Sequence, residues 1–422
     1  MLRFAPASSV VLALSFAVPV VQAQAAASPD AGGEEDGSEI VVTASRIAGV
    51  IDSPQQPVLT LDPEAIASYG ASSLGDLIEA LGPQTGSGRG RGGGHPVILF
   101  NGQRISNFRE MRNIPPEAIR RMEVLPEEVA LRFGYPPDQR VINFILRDNF
   151  ASKSFDAEYN APARGGFAET EFEASLLRIG KADRLNLNLK ASDASMLTEA
   201  ERGVMQQPGS IPALATDPDP AHARSLVADS RELAATVSWS KGLGSDGADG
   251  SLALNAAITR ADRRSLFGLN SVELAAPGLS AVLRTLDDPL QRTVRTLNVA
   301  GGAAYNRPLG LWQLSATVDG SRVEEETRTD RRADTGALAA AAAAGLLAPL
   351  GPLPTPLPAG SSQATSRTLS LNSLLTLSGP VVRLPAGDAF ATIKAGYEHS
   401  GIRSSDNRAG LALADLSRND RY

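Results

Sequence analysis

From Ser152 onward, apolar and polar positions alternate with a period of two. In RLNLNLK, Leu185, Leu187 and Leu189 alternate with Asn186, Asn188 and Lys190. In ELAATVSWS the apolar phase is Leu233, Ala235, Val237 and Trp239. In LWQLSATVDG it is Trp312, Leu314, Ala316 and Val318, set against Gln313, Ser315, Thr317 and Asp319. Such alternation predicts strands with one apolar and one polar face. Nine of them can be read: 153–160, 167–179, 184–193, 230–241, 251–262, 293–305, 311–323, 367–378 and 388–403.

Alternation alone does not separate a soluble sandwich from a membrane barrel. The spacing does. Apart from the first connection, short turns alternate with long loops (194–229, 263–292 and 324–366). Short turns at one end and long loops at the other belong to antiparallel barrel strands with lipid outside and water inside. The aromatics fit that reading, because amphipathic rings favour membrane interfaces. Trp239, Tyr305, Trp312 and Phe390 fall beside the short turns, and Tyr159 and Tyr397 near the other ends. The run Gly336–Gly360 is Ala/Leu-rich but broken by glycine and five prolines, so it reads as an external loop with a short helix rather than a membrane helix.

Ahead of Ser152 the pattern is different. Leu74, Leu77, Ile78 and Leu81 share one face of a helix over Ala71–Leu81, with Ser72 or Ser73 as its cap and Gly82-Pro83 as its stop. Val97–Phe100 and Val141–Leu146 are unbroken apolar runs, the mark of strands buried on both faces. Between them, Pro115 and Pro116 open a short helix and Arg120–Leu125 forms a further strand. Residues 47–150 therefore read as a small α+β domain, and 151–422 as the N-terminal portion of a β-barrel.

The N-terminus carries export signals. Arg3, the apolar run Val10–Val21 and Ala23-Gln24-Ala25 make residues 1–25 a secretory signal peptide. Residues 26–46 follow as a flexible, acidic leader that contains one β-prone stretch, EIVVTA. Cysteine is absent and the formal charge is −7, which exclude a disulfide scaffold and disfavour a nucleic-acid surface.

These motifs carry a resemblance. IPPEAIRRMEVL followed by VINFIL, with VILFNGQRIS and SSLGDLIEALGPQTG ahead of them, is similar to the plug domain of TonB-dependent outer-membrane receptors. Asn101 stands where that family usually has Asp. The sequence departs from the pattern at Leu125-Pro126-Glu127-Glu128, at Gln139-Arg140 and in the glycine run Gly86–Gly94. The resemblance implies a plug followed by transmembrane barrel strands, incomplete at about nine of an expected twenty-two. It also implies that Glu39, Ile40, Val41, Val42, Thr43 and Ala44 form a TonB box that pairs with the energy-transducing protein by adding a strand to its sheet.

The implied activity is uptake of a scarce ligand (an iron chelate, cobalamin, saccharide or peptide) across the outer membrane, with outer-membrane lipid as surroundings and no cofactor. The alternative is a passive plugged channel or a truncated remnant. Enzymatic readings find no support. His95, His222 and His399 are far apart and match no metal-site spacing, and no G-x-S-x-G elbow occurs. Asp217 and Asp219, in TDPDPAH, read as a solvated loop turn.

Overall fold

The computed structural model describes residues 49–51, 55–82, 96–108, 111–136, 139–244, 249–354, 359–384, 387–407 and 416–421. The signal segment, the Glu39–Ala44 box and the Gly86–Gly94 run lie outside them.

The first domain comprises β1 (Leu59–Leu61), α1 (Pro63–Ala67), α2 (Leu74–Ala80), β2 (Val97–Phe100), β3 (Gln103–Arg104), β4 (Ile119–Leu125) and β5 (Val141–Leu146). Its sheet runs in the order β1-β4-β5-β2-β3, with β2 and β5 parallel and the other pairs antiparallel. Every residue of β5 is buried, as its unbroken apolar run requires. The two sides of the sheet are covered separately. On one, Ile142 and Phe144 pack with Ile66 of α1 and with Leu74, Leu77 and Leu81 of the α2 region. On the other, Val141 packs with Val97, Leu99 and Leu125 beneath Val129 and Ala130 of a 3-10 segment, Glu127–Phe133. Ser73 caps α2, its hydroxyl accepting from the Asp76 N–H. The helix expected after Pro115-Pro116 is a single 3-10 turn, Pro116–Ala118, because the chain enters β4 at once.

The second region comprises β6 (Phe150–Asn160), β7 (Glu169–Ile179), β8 (Asp183–Ala194), β9 (Leu197–Thr198), β10 (Ser225–Val227), β11 (Asp229–Leu243), β12 (Gly250–Ala276), β13 (Leu279–Leu309), β14 (Trp312–Asp330), α3 (Gly336–Ala343), β15 (Ser361–Leu384), β16 (Gly387–Asp406) and β17 (Leu416–Arg421). Short β9 and β10 pair only with each other, inside the loop between β8 and β11. The others form one ten-stranded antiparallel sheet in chain order, here called the wall. All nine strands expected from sequence are present. The tenth, β17, pairs with β16 through residues whose sequence lacks apolar alternation.

The wall's polarity is inverted relative to the first domain. In β8, Arg184, Asn186 and Asn188 are buried while Leu189 is 46% exposed. In β11, Ser238 is buried whereas Leu233 is 52% exposed. The register aligns these phases, setting Leu233 against Ala191 and Arg260, and Ser238 against Asn186 and Asn255. Polar side chains line the inner face and apolar ones the outer face. The inner face of β7, β12, β13, β14 and β15 touches the first domain, so the sheet curls around it as a plug.

One expectation is corrected. Residues 263–292 are not an irregular loop but the upper half of the β12–β13 hairpin, whose strands are 27 and 31 residues long. These strands are far longer than the about 9–11 tilted residues with which a strand spans a bilayer. Ala276 pairs with Leu279 across Pro277-Gly278, where Gly278 has φ 80°. Proline followed by a glycine at positive φ is the sequence of a type II turn. Val272 and Leu274 of the hairpin pack against Ala342 of α3 and Leu347, so the Ala/Pro-rich loop is seated on it.

Candidate functional site

The plug meets the wall through the turn after β2. Asn101 (φ 48°) and Gly102 (φ 74°) form its two central residues, and Phe100 pairs with Gln103. An Asn-Gly pair with both φ positive suits a tight hairpin. Asn143, fully buried in β5, fixes this turn. Its Oδ1 accepts from the Gly102 N–H at 2.8 Å, and its Nδ2 donates to the Gly49 carbonyl at 2.9 Å and to Glu123 Oε2 at 3.4 Å. Glu123 is itself buried and paired with Arg121 at 3.0 Å. One amide thus ties Gly49, close behind the leader, to the turn that faces the wall. Asn101 Oδ1 accepts from the Leu146 N–H at 3.0 Å. That bond needs only an acceptor, which the amide oxygen supplies.

Beyond the turn, residues 104–107 are stitched across the wall. Arg104 donates to Thr376 Oγ1 at 2.9 Å and to the Tyr135 hydroxyl at 3.2 Å, and its guanidinium lies 4.8 Å from the centre of the Tyr135 ring. The Arg104 carbonyl accepts from Asn306 at 3.0 Å, Ser106 accepts from Asn255 at 2.6 Å, and Asn107 donates to Asp319 at 3.3 Å. Gly302 gives the plug room here, since a Cβ there would lie 2.7 Å from the Ser106 hydroxyl. Leu177 and Ile179 of β7 complete the seat by joining the plug's apolar core. The bonds from Asn306 and Asn255 are neutral and contribute about 0.5–1.5 kcal/mol each, whereas those of Arg104 and Asp319 involve a charged group and contribute about 1.5–3 kcal/mol each. The seat is specific, yet each bond is separable at small cost.

At the long-loop end, Arg284 holds three segments together. Its guanidinium donates to Asp217 at 2.6 and 2.9 Å, and to the carbonyls of Pro349 and Gly351 at 2.6 and 2.9 Å. Both charged side chains are buried. The hydrogen bonds from Arg284 hold the Asp217 carboxyl below its usual range. Asp217 is therefore not in a solvated turn, because a guanidinium takes its carboxylate. Asp219 instead caps the 3-10 turn Pro220–Ala223, accepting from the Ala221 N–H at 2.9 Å. Beside the clasp lies a cavity of about 560 Å³, whose lining includes Asn270, Asp287, Asp288, Arg328 and Arg331. Its size lies within the range of small-molecule sites, and its charges are mixed in sign. Nothing in the chain's local pattern marks this clasp, since its two partners are 67 positions apart.

The candidate partner-binding residues Glu39–Ala44 fall outside the described residues, and no ligand-binding residue was nominated from sequence. No family model matches the chain, and no curated protein does. Among solved structures, it is similar to the ferric preacinetobactin receptor BauA of Acinetobacter baumannii, at 14% identity and TM-score 0.35, covering 88% of this chain and 60% of that one. It is similar also to the ferric yersiniabactin uptake receptor FyuA of Yersinia pestis, at 11% and 0.39, covering 86% and 60%. The RagAB peptide importer in its 'open-open' state gives 10% and 0.44, covering 88% and 52%. The chain thus spans about half to two thirds of the length of these structures. TM-scores this low assign neither family nor ligand, and the fold rests on the strand registers above.

Proposed function

We propose that this chain is the N-terminal part of a TonB-dependent outer-membrane receptor, which takes up a scarce ligand without covalent chemistry. The observation that carries the reading is the inverted wall, with an apolar outer face and a polar inner face curled around an apolar-cored plug. Such a wall suits lipid outside and water within. The motif order across residues 72–146 supports the plug half of the reading. On this reading the short turns are periplasmic and the β12–β13 hairpin, α3 and the Arg284 clasp face the exterior. The mixed-charge cavity there is the place for a polar ligand. Glu39–Ala44 pairs in the periplasm with the energy-transducing partner, whose pull reaches the plug through the chain that Asn143 holds at Gly49. The few separate hydrogen bonds between plug and wall can break one at a time, which allows the plug to shift without unfolding.

The test has two parts. Carbonate-washed membranes should retain the protein in the outer-membrane fraction. The periplasmic domain of the transducing partner should capture the protein, and deletion of Glu39–Ala44 should abolish capture. Release by carbonate would refute the barrel, and capture that survives the deletion would refute the box. A passive plugged channel is the outcome if the protein stays in the membrane but no capture occurs.

A further inference from the structure

A second cavity, of about 240 Å³, lies between plug and wall at the short-turn end. Sites for drug-sized ligands hold about 300–1,000 Å³, so this one suits a small ion. Its lining is one-sided in charge. The plug contributes Arg104, Arg120 and Arg147, and the wall contributes Lys181, Arg184 and Lys241. Against them stand only Asp148 and Asp183. Among the described residues the one ion pair in this lining is loose, Arg120 to Asp148 at 3.9 Å with both groups largely exposed. Arg104 supplies an independent observation. It is 4% exposed, and the Thr376 and Tyr135 hydroxyls to which it donates bring no negative charge. It also borders a pocket the size of one water, lined by Arg132, Ser315, Thr376 and Ser378 and by no carboxylate. Its Nε has no hydrogen-bond partner. The Tyr135 ring, 4.8 Å from the guanidinium, offsets part of the charge but leaves that donor unmet. Burying a charge without a counterion is costly, so this arrangement calls for an anion.

The geometry points to a binding site for a free phosphate-class oxyanion (inorganic phosphate, pyrophosphate or a small phosphate ester) in the seam between plug and wall. Planar guanidinium groups match the paired oxygens of such an anion, and lysine ammonium groups add point charges around it. The cavity lies on the plug side of the wall, away from the apolar outer face, which favours a free anion over a lipid headgroup. Its cations come from both domains, so a bound anion bridges them. A ligand that binds only the seated arrangement stabilises it by mass action. The anion therefore tightens the seat that Arg104 already makes with Thr376. Its concentration sets how firmly the plug is held, whatever the chain transports.

The test titrates pyrophosphate calorimetrically into the full chain in detergent, at about 0.15 M sodium chloride so that long-range attraction is screened. Saturable binding of one pyrophosphate per chain is expected. At about ten times its Kd, hydrogen exchange of the 103–107 segment, which meets the wall, should slow about tenfold. Lys181→Gln/Lys241→Gln should weaken binding about tenfold, the scale on which a charged cleft concentrates counterions. Both lysines are exposed, so exchange in the anion-free variant should match that of the unaltered chain. Arg104→Gln should abolish binding, and Arg231→Gln, on the outer face, should leave it unchanged. Absence of saturable binding, or binding indifferent to K181Q/K241Q as for an adventitious ion only, would overturn the site. Binding without slower exchange would overturn the bridge between plug and wall. Tighter binding of dihexanoyl phosphatidylglycerol than of inorganic phosphate would overturn the free-anion occupant. None of these outcomes bears on membrane insertion or on capture by the transducing partner.

Discussion

Plug and wall are made from strands of the same kind, yet their side chains face opposite ways. In the plug, β5 buries Ile142, Phe144 and Leu146 among helices and sheet, and its one buried amide, Asn143, is fully bonded. In the wall, β11 exposes Leu233 and Val237 and buries Ser238. A domain in water must hide its apolar surface, whereas a barrel in lipid must hide its polar surface. The plug strand is an unbroken apolar run buried on both faces, whereas the wall strand alternates and turns its apolar phase outward.

The comparison can be broken most strongly at its two cores. Phe144→Ala should cost about 3–5 kcal/mol in denaturant unfolding of the plug. Leu233→Ala, on the outer face, should change stability in detergent by less than about 0.5 kcal/mol. A comparable loss at both sites would erase the distinction. At the clasp, Arg284→Ala leaves Asp217 buried and uncompensated, a loss of about 3–5 kcal/mol confined to the outer hairpin. Hydrogen exchange should show faster opening of β12–β13 above Arg264, with the plug unchanged. Ile258→Arg, on the outer face, should cost about 2–4 kcal/mol in vesicles and far less in detergent, because only lipid penalises a charge there.

The clasp also sets an acid limit. The folded Asp217 pKa is lowered, so the clasp contributes fully above the ordinary carboxylate value of 3.8 and fails as pH falls through the lower folded value. Protection of the hairpin amides should therefore be flat from neutral pH to about pH 5 and then fall. The smallest effect is at the α2 cap, where Ser73→Ala should cost about 1 kcal/mol of plug stability.

Much of this was legible in the sequence, for physical reasons. The wall strands were readable because apolar and polar residues alternate along them, one phase turned out and the other in, as in RLNLNLK. The buried plug strands VILF and VINFIL were readable as unbroken apolar runs. The upper hairpin was not, because both of its faces meet water or other loops. Its stretches RADRRS and LDDPLQRT carry charges in both phases, and only Pro277-Gly278 marked its tip. The polar network was hidden for another reason. Asn143 sits inside an apolar run, and its partners Gly49, Gly102 and Glu123 are distant in sequence. Nothing in the spacing of Asp217 and Arg284 joins them.

The account's central claim is that the wall faces lipid outside and a polar lumen within. Its most direct test is a single-cysteine spin-label scan of residues 233–240 in lipid vesicles, which the cysteine-free chain permits. Oxygen accessibility should alternate with period two, high at positions 233, 235, 237 and 239 and low at 234, 236, 238 and 240. Reversed alternation, or a flat profile with polar-reagent access throughout, would contradict the inverted wall and with it the membrane reading.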